Sequence, residues 1–244
     1  MNQNYISDNI FIKDNKLYEQ HSNKDILINK NNWHKILSQL GWEKIPLSWI
    51  KILNKYNNKK YKNSQFGILD CGSDGDCFFH CIAYALNTFE INKKEPIIYN
   101  AQDLRQLLAN SISKEIFNEI ISIYKILKDS NDLDEMWDPY NITDKEYRNM
   151  ITNNCDIFWS DHILISMIIK LLNINIIILN SNEYTKSHNL YNTMTDYNSQ
   201  KNTIILLYEN NIHFKLIGHF KDNNMISLFD NRNIPSEIYK LIML

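Results

Sequence analysis

A chain of 244 residues, 44% hydrophobic and 22% charged, is long enough to bury a full core without disulfides or metals. Its net charge of −2 excludes a global field that would draw it to nucleic acid or an anionic membrane. With only 5 Gly and 4 Pro, collagenous and Pro-rich architectures are excluded as well.

In chain order, no basic segment followed by an apolar stretch opens the sequence, so no secretory signal is expected. Residues 1–62 read as an N-terminal helical extension. Asn32 is placed to cap a helix whose face carries Trp33, Ile36, Leu37 and Leu40, and Gly41 ends it. Pro46 opens a second helix through Leu47, Ile50 and Leu53. Lys55, Lys59, Lys60 and Lys62 then read as a solvated linker; they include no Arg, and Tyr56 and Tyr61 alone do not make a nucleic-acid surface.

Residues 63–244 read as the main domain. Phe66 to Leu69 is strand-like, Asp74-Gly75 makes a turn, and Cys77 to Leu86 has helical periodicity. Helices are predicted over Ala101 to Leu108, Ile112 to Leu127 and Trp159 to Leu172, the last capped by Ser160 or Asp161. Its apolar run, Ile163 to Leu172, is too short to span a bilayer. Strands follow at Ile174 to Leu179 and Thr203 to Tyr208. A turn at Asn210-Asn211 leads into a strand from His213 to Ile217. Helices first and strands later predict an α/β (α+β) fold, a small central sheet flanked by helices.

Four cysteines, Cys71, Cys77, Cys81 and Cys155, lack paired CxxC spacing, so a zinc site is not expected. Without a secretory signal they are expected as free thiols in a reducing, cytoplasmic compartment. Runs such as Ile174-Asn175-Ile176-Ile177-Ile178 are those of AT-rich coding DNA, as in a large DNA virus, a protist or an intracellular bacterium.

Cys77 is where chemistry concentrates. A cysteine attacks a carbonyl only as thiolate. The first turn of a helix stabilises negative charge on sulfur, and its N–H groups, with those of the preceding loop, suit an oxyanion hole. Gly75 lets that loop turn tightly. Taken alone, Cys77 is as compatible with an inert buried thiol as with a nucleophile.

Asp74-Gly75-Asp76-Cys77-Phe78-Phe79 resembles the Asp-Gly-x-Cys-hydrophobic-aromatic signature of the OTU (ovarian tumour) family of deubiquitinating cysteine peptidases. Trp159-Ser160-Asp161 with the Ile176-Ile177-Ile178 strand, and Ile204 to Tyr208 with His213-Phe214, resemble its later motifs, over roughly residues 63 to 232. The long inserts and Asn-rich character are similar to OTU domains of large DNA viruses. The resemblance implies a papain-type fold and a ubiquitin-directed isopeptidase with no cofactor. Cys77 is then its nucleophile, His213 its base, and Asp74 an organiser of the oxyanion loop. It also implies ubiquitin or polyubiquitin conjugates as partners; the charge balance gives no reason to expect nucleic acid or membrane.

His219 is the rival base, sharing strand parity with His213 unless Gly218 introduces a bulge. The acid that in many OTU enzymes lies two residues after the histidine is replaced here by Lys215, which cannot accept a hydrogen bond. Asp74, Asp230, Asn231, Asn210 and Asn211 remain open as orienters, as does a Cys–His dyad. Lys215 also leaves room for a second reading, a ubiquitin-binding scaffold that has lost activity.

Overall fold

The computed structural model describes residues 4–22, 24–57, 64–73, 75–90, 96–133, 137–153, 160–182, 185–191, 193 and 195–243. The chain forms two compact units. One comprises Met1–Cys71, Asn175–Tyr191 and Tyr197–Leu244, and the other Gly72–Ile174 and Asn192–Asp196.

The first unit begins with strands where the sequence predicted a helical extension. Strands β1 (Asn4–Tyr5), β2 (Ile10–Lys13), β3 (Lys16–His21) and β4 (Lys24–Leu27) form an antiparallel sheet in that order. The β2–β3 turn places Asp14 and Asn15 at φ 52 and 59, the left-handed pair that a two-residue hairpin requires. Ile10, Phe11 and Leu17 are its buried residues. Strands this short, interleaved with Lys and Asn, carry too few apolar positions for a period to be read.

The two helices expected in this segment do form. Helix α1 (Trp33–Ile36) tightens into a 3-10 turn over Leu37–Leu40 and ends at Gly41, φ 85. Asn32 makes no side-chain cap to it; its Oδ1 accepts from the Asn29 N–H at 2.6 Å instead. Helix α2 (Leu47–Asn57) follows Pro46, whose carbonyl accepts from the Ile50 N–H.

The second sheet of this unit has strand order β5 (Trp42–Lys44), β6 (Phe66–Leu69), β10 (His213–Lys221), β9 (Thr203–Glu209), β7 (Asn175–Asn182), β8 (Ser187–Tyr191). β11 (Asn224–Ile226) pairs with β10 and β12 (Leu228–Phe229) with β9. Only β7 and β9 run parallel among these pairs. Trp49 and Leu53 of α2 and Ile238 of α8 (Ser236–Ile242) bury one face against Ile68, Ile177, Leu179, Ile205, Leu207 and Ile217. Residues of the opposite parity, among them Ile178, Leu206 and Leu216, are also fully buried, which accounts for the continuous apolar runs in β7 and β9.

Gly218 introduces no bulge. It pairs in register with Gly67, and β10 runs straight on to Lys221. The glycine serves packing: a Cβ there would stand 2.6 Å from Trp42 Cη2 and 2.7 Å from Met225 Sδ. Gly218→Ala is therefore expected to cost about 1–3 kcal/mol through overpacking. Urea denaturation measures it, and an unchanged midpoint would mean that Trp42 swings aside without penalty.

The second unit contains α3 (Cys77–Glu90), α4 (Ala101–Ser111), α5 (Lys114–Asp129), α6 (Asp144–Asn153) and α7 (His162–Leu172). Their starts follow their caps. Asn100 and Asp103 form a capping box on α4, and Ser113 accepts from the Ile116 N–H on α5. Asp161 caps α7 through the Ile163 and Leu164 N–H groups and also accepts from the Tyr124 hydroxyl at 2.5 Å. That last bond ties α5 to the start of α7. No described helix is long and apolar enough to cross a membrane. The mixed α/β class is as expected from the sequence, with more strands than the sequence revealed.

Candidate functional site

Cys77 is the first residue of α3 and is 8% exposed. The Asp76 carbonyl accepts from the His80 N–H at 2.9 Å and so closes the first turn of the helix around the thiol. The sulfur therefore sits where the helix dipole is positive and the first N–H groups lack intrahelical acceptors. The approach loop is tightly shaped. Gly75 has φ 79, and Gly72 has φ 141 with room for no Cβ, since one would meet His80 Cδ2 at 2.8 Å. His80 is thus a packing ring for this loop. Asp74 lies outside the described residues. The Asp76 carboxylate is paired with Arg105 of α4.

His213 opens β10, in the other unit. Its Nε2 lies 3.1 Å from Asp70 Oδ2, the residue that directly follows β6. The register explains the meeting. β6 and β10 pair Leu69 with Leu216, so Asp70 falls opposite Lys215 on the face that also carries His213. Lys215 does not compete for the ring: its Nζ pairs with Glu209 Oε2 at 2.7 Å. A carboxylate thus stands beside the ring from across the sheet, on a residue that sequence reasoning did not name. Only the pairing of two strands distant in sequence brings it there, and such register is not readable from a single chain.

His219 shares the parity of His213 but not its surroundings. Its ring lies 4.8 Å from Phe66, in a small recess lined by Ile50, Ser64 and Glu237 among others. Six residues at about 3.3 Å each put it roughly 20 Å along the strand from His213. The remaining candidate orienters are occupied locally or exposed. Asp230 accepts from the Arg232 and Asn233 N–H groups and from the Arg232 guanidinium. Asn210 and Asn211, at φ 54 and 61, are the turn between β9 and β10, and Asn231 is exposed.

Asp76 holds Arg105, Asp161 caps α7, and Glu209 holds Lys215; Asp156 lies outside the described residues, as do Trp159 and Cys155. Phe214 is buried and stacks on Tyr208 at 4.3 Å, a core contact. Cys71, Cys77 and Cys81 are free thiols, and among the described residues no group of His, Cys, Asp and Glu is placed to hold a metal ion.

A family model described as OTU-like cysteine protease matches residues 72–220, more than half of the chain. Among solved structures, an ovarian tumour (OTU) domain in complex with ubiquitin is 18% identical over 73% of this chain and 83% of its own, with a TM-score of 0.42. The viral OTU domain protease of Dera Ghazi Khan virus is 15% identical over 64% and 82%, TM-score 0.42. An OTU deubiquitinase of Wolbachia pipientis wMel is 13% identical over 73% and 98%, TM-score 0.40. No curated protein matches the chain.

Proposed function

Because the chain belongs to the family of OTU-like cysteine proteases, we propose that it is a deubiquitinating thiol isopeptidase with Cys77 as nucleophile and His213 as base. The observation that carries the reading is the Asp70–His213 pair, at 3.1 Å. The carboxylate stands at ion-pair distance from Nε2; in this proposal it favours hydrogen on that nitrogen and leaves Nδ1 as the basic nitrogen assigned to the thiol.

The chemistry then runs in two halves. His213 takes the proton of Cys77, and the thiolate adds to the carbonyl of the ubiquitin C-terminal glycine in its bond to lysine. N–H groups of the loop from Asp74 to Cys77 stabilise the tetrahedral oxyanion. The imidazolium gives its proton to the leaving lysine amine as the C–N bond breaks, and a thioester remains. Water, deprotonated by His213, adds to the thioester; the C–S bond breaks, and free ubiquitin and the thiol are regenerated. Asp74 belongs to this proposal through the family motif alone. A thiol-dependent reaction suits a reducing compartment such as the cytoplasm, and the AT-rich coding character suits a viral source.

Lys215 had favoured a non-catalytic ubiquitin-binding scaffold, and the position of Asp70 removes that ground. Asp70→Ala is expected to lower kcat roughly 10²-fold, as loss of an imidazole-orienting acid does. Adding Lys215→Asn to that variant should restore part of the loss by returning an acceptor to the position two residues after His213. No recovery would argue that Asp70 acts otherwise than by orienting the ring. The reaction itself is tested with ubiquitin carrying a C-terminal fluorogenic amide. Release of the fluorophore that iodoacetamide abolishes is the expected result; ubiquitin binding without release would favour the scaffold.

A further inference from the structure

Arg105 is the one fully buried residue with a formal charge among the described residues, at 0% exposure. Its guanidinium is engaged on every side. Nε pairs with Asp76 Oδ1, Nη1 donates to the Ile151 carbonyl of α6 at 2.9 Å, and Nη2 donates to the Gly75 carbonyl at 3.3 Å. The face of the Phe79 ring lies 4.5 Å from its central carbon. A buried cation is costly, and a packed apolar side chain of similar volume often serves stability as well. What this one holds is therefore informative: both residues that immediately precede Cys77.

The bond to Gly75 has a stereochemical consequence. The Gly75 carbonyl and the Asp76 N–H belong to one planar trans peptide and point in opposite directions. Drawing the carbonyl toward Arg105 fixes the N–H on the other side. The loop backbone holds the same plane from the other side, where the Asp76 N–H donates to the Ser73 carbonyl at 3.3 Å, no longer than the bond from Arg105. Gly75, at φ 79, is the residue type for which rotating that plane costs least, so the plane depends on the bonds that hold its two ends. The Asp76 side chain, at the N-cap position of α3, is held by the same guanidinium.

We propose that Arg105 is a positioning residue that locks the Gly75–Asp76 peptide plane, so that the N–H groups ahead of Cys77 stay oriented to receive the oxyanion. The proposal rests on the isopeptidase reading, and it assigns a role to a residue of α4 that touches no substrate. The planar fork is what matters: lysine keeps the charge but cannot reach Asp76, Gly75 and Ile151 together.

Arg105→Lys is expected to lower kcat on the ubiquitin amide roughly 10- to 100-fold with KM little changed, the pattern of lost transition-state stabilisation. Alkylation of Cys77 by iodoacetamide, a displacement that forms no oxyanion, should keep its wild-type rate. Deuterium exchange at the Gly75, Asp76 and Cys77 amides, which needs no substrate, should rise. Unchanged kcat and exchange would overturn the proposal. So would a parallel fall in kcat and alkylation, which would mark Arg105 as merely structural. Raised exchange in the variant of a protein that does not cleave ubiquitin at all would sink the isopeptidase reading and leave the lock standing. Should Arg105→Lys not fold, Asp76→Asn carries the test. It weakens one anchor from a partly exposed position, and the same pattern is expected at smaller amplitude; wild-type kcat and exchange in it would overturn the proposal.

Discussion

Cys77→Ala is expected to remove all measurable release from ubiquitin amides, a fall of at least about 10⁴-fold, the scale on which loss of a nucleophile acts. The substitution deletes a single sulfur at the first position of α3, where the side chain is 8% exposed. Helix start, loop and Arg105 anchor remain, so ubiquitin binding and the thermal midpoint should persist. Kinetics and calorimetry on the same preparation separate the two. Cys81 is the internal control: one turn further along α3 and fully buried, it has no route to a carbonyl, and Cys81→Ala should stay active. Turnover surviving in Cys77→Ala would contradict the assignment.

His213→Ala should be nearly as severe, about 10³- to 10⁴-fold in kcat, because it removes both the base of the first step and the acid that protonates the leaving amine. His219→Ala should turn over at the wild-type rate. The two histidines share a face of β10, but His219 rests on Phe66 while His213 meets Asp70. Steady-state rates of the two variants decide between them. Loss in His219→Ala with activity surviving in His213→Ala would exchange the assignments and leave the Asp70 pair without a catalytic meaning.

Local grammar made much of this fold legible. Pro46, Gly41, Asp161 and the Asn210-Asn211 turn each sit where their backbone preferences put them. Helix α3 begins at Cys77 because Gly75 and Asp76 form the turn before an apolar period through Phe78, Phe79 and Ile82. What escaped notice depends on partners far along the chain. Strands β1 to β5 are two to six residues long, and pairing rather than pattern defines them. Gly218 looked like a break because a glycine in a strand often marks one; here it makes room for the Trp42 ring. Asp70 went unnamed for the same reason. It lies far from His213 in sequence and reaches it only through the Leu69–Leu216 register. Arg105 gives no local sign of its burial either, since nothing in its neighbours in sequence announces it.

The central claim is that Cys77 is an activated thiol presented to the C-terminus of ubiquitin. Incubation with ubiquitin bearing a C-terminal vinyl sulfone, followed by digestion and mass spectrometry, tests it most directly. One ubiquitin is expected per chain, on the peptide containing Cys77, with no adduct in Cys77→Ala and a much slower one in His213→Ala. An adduct on Cys71 or Cys81, or none on a folded chain that still binds ubiquitin, would contradict the account.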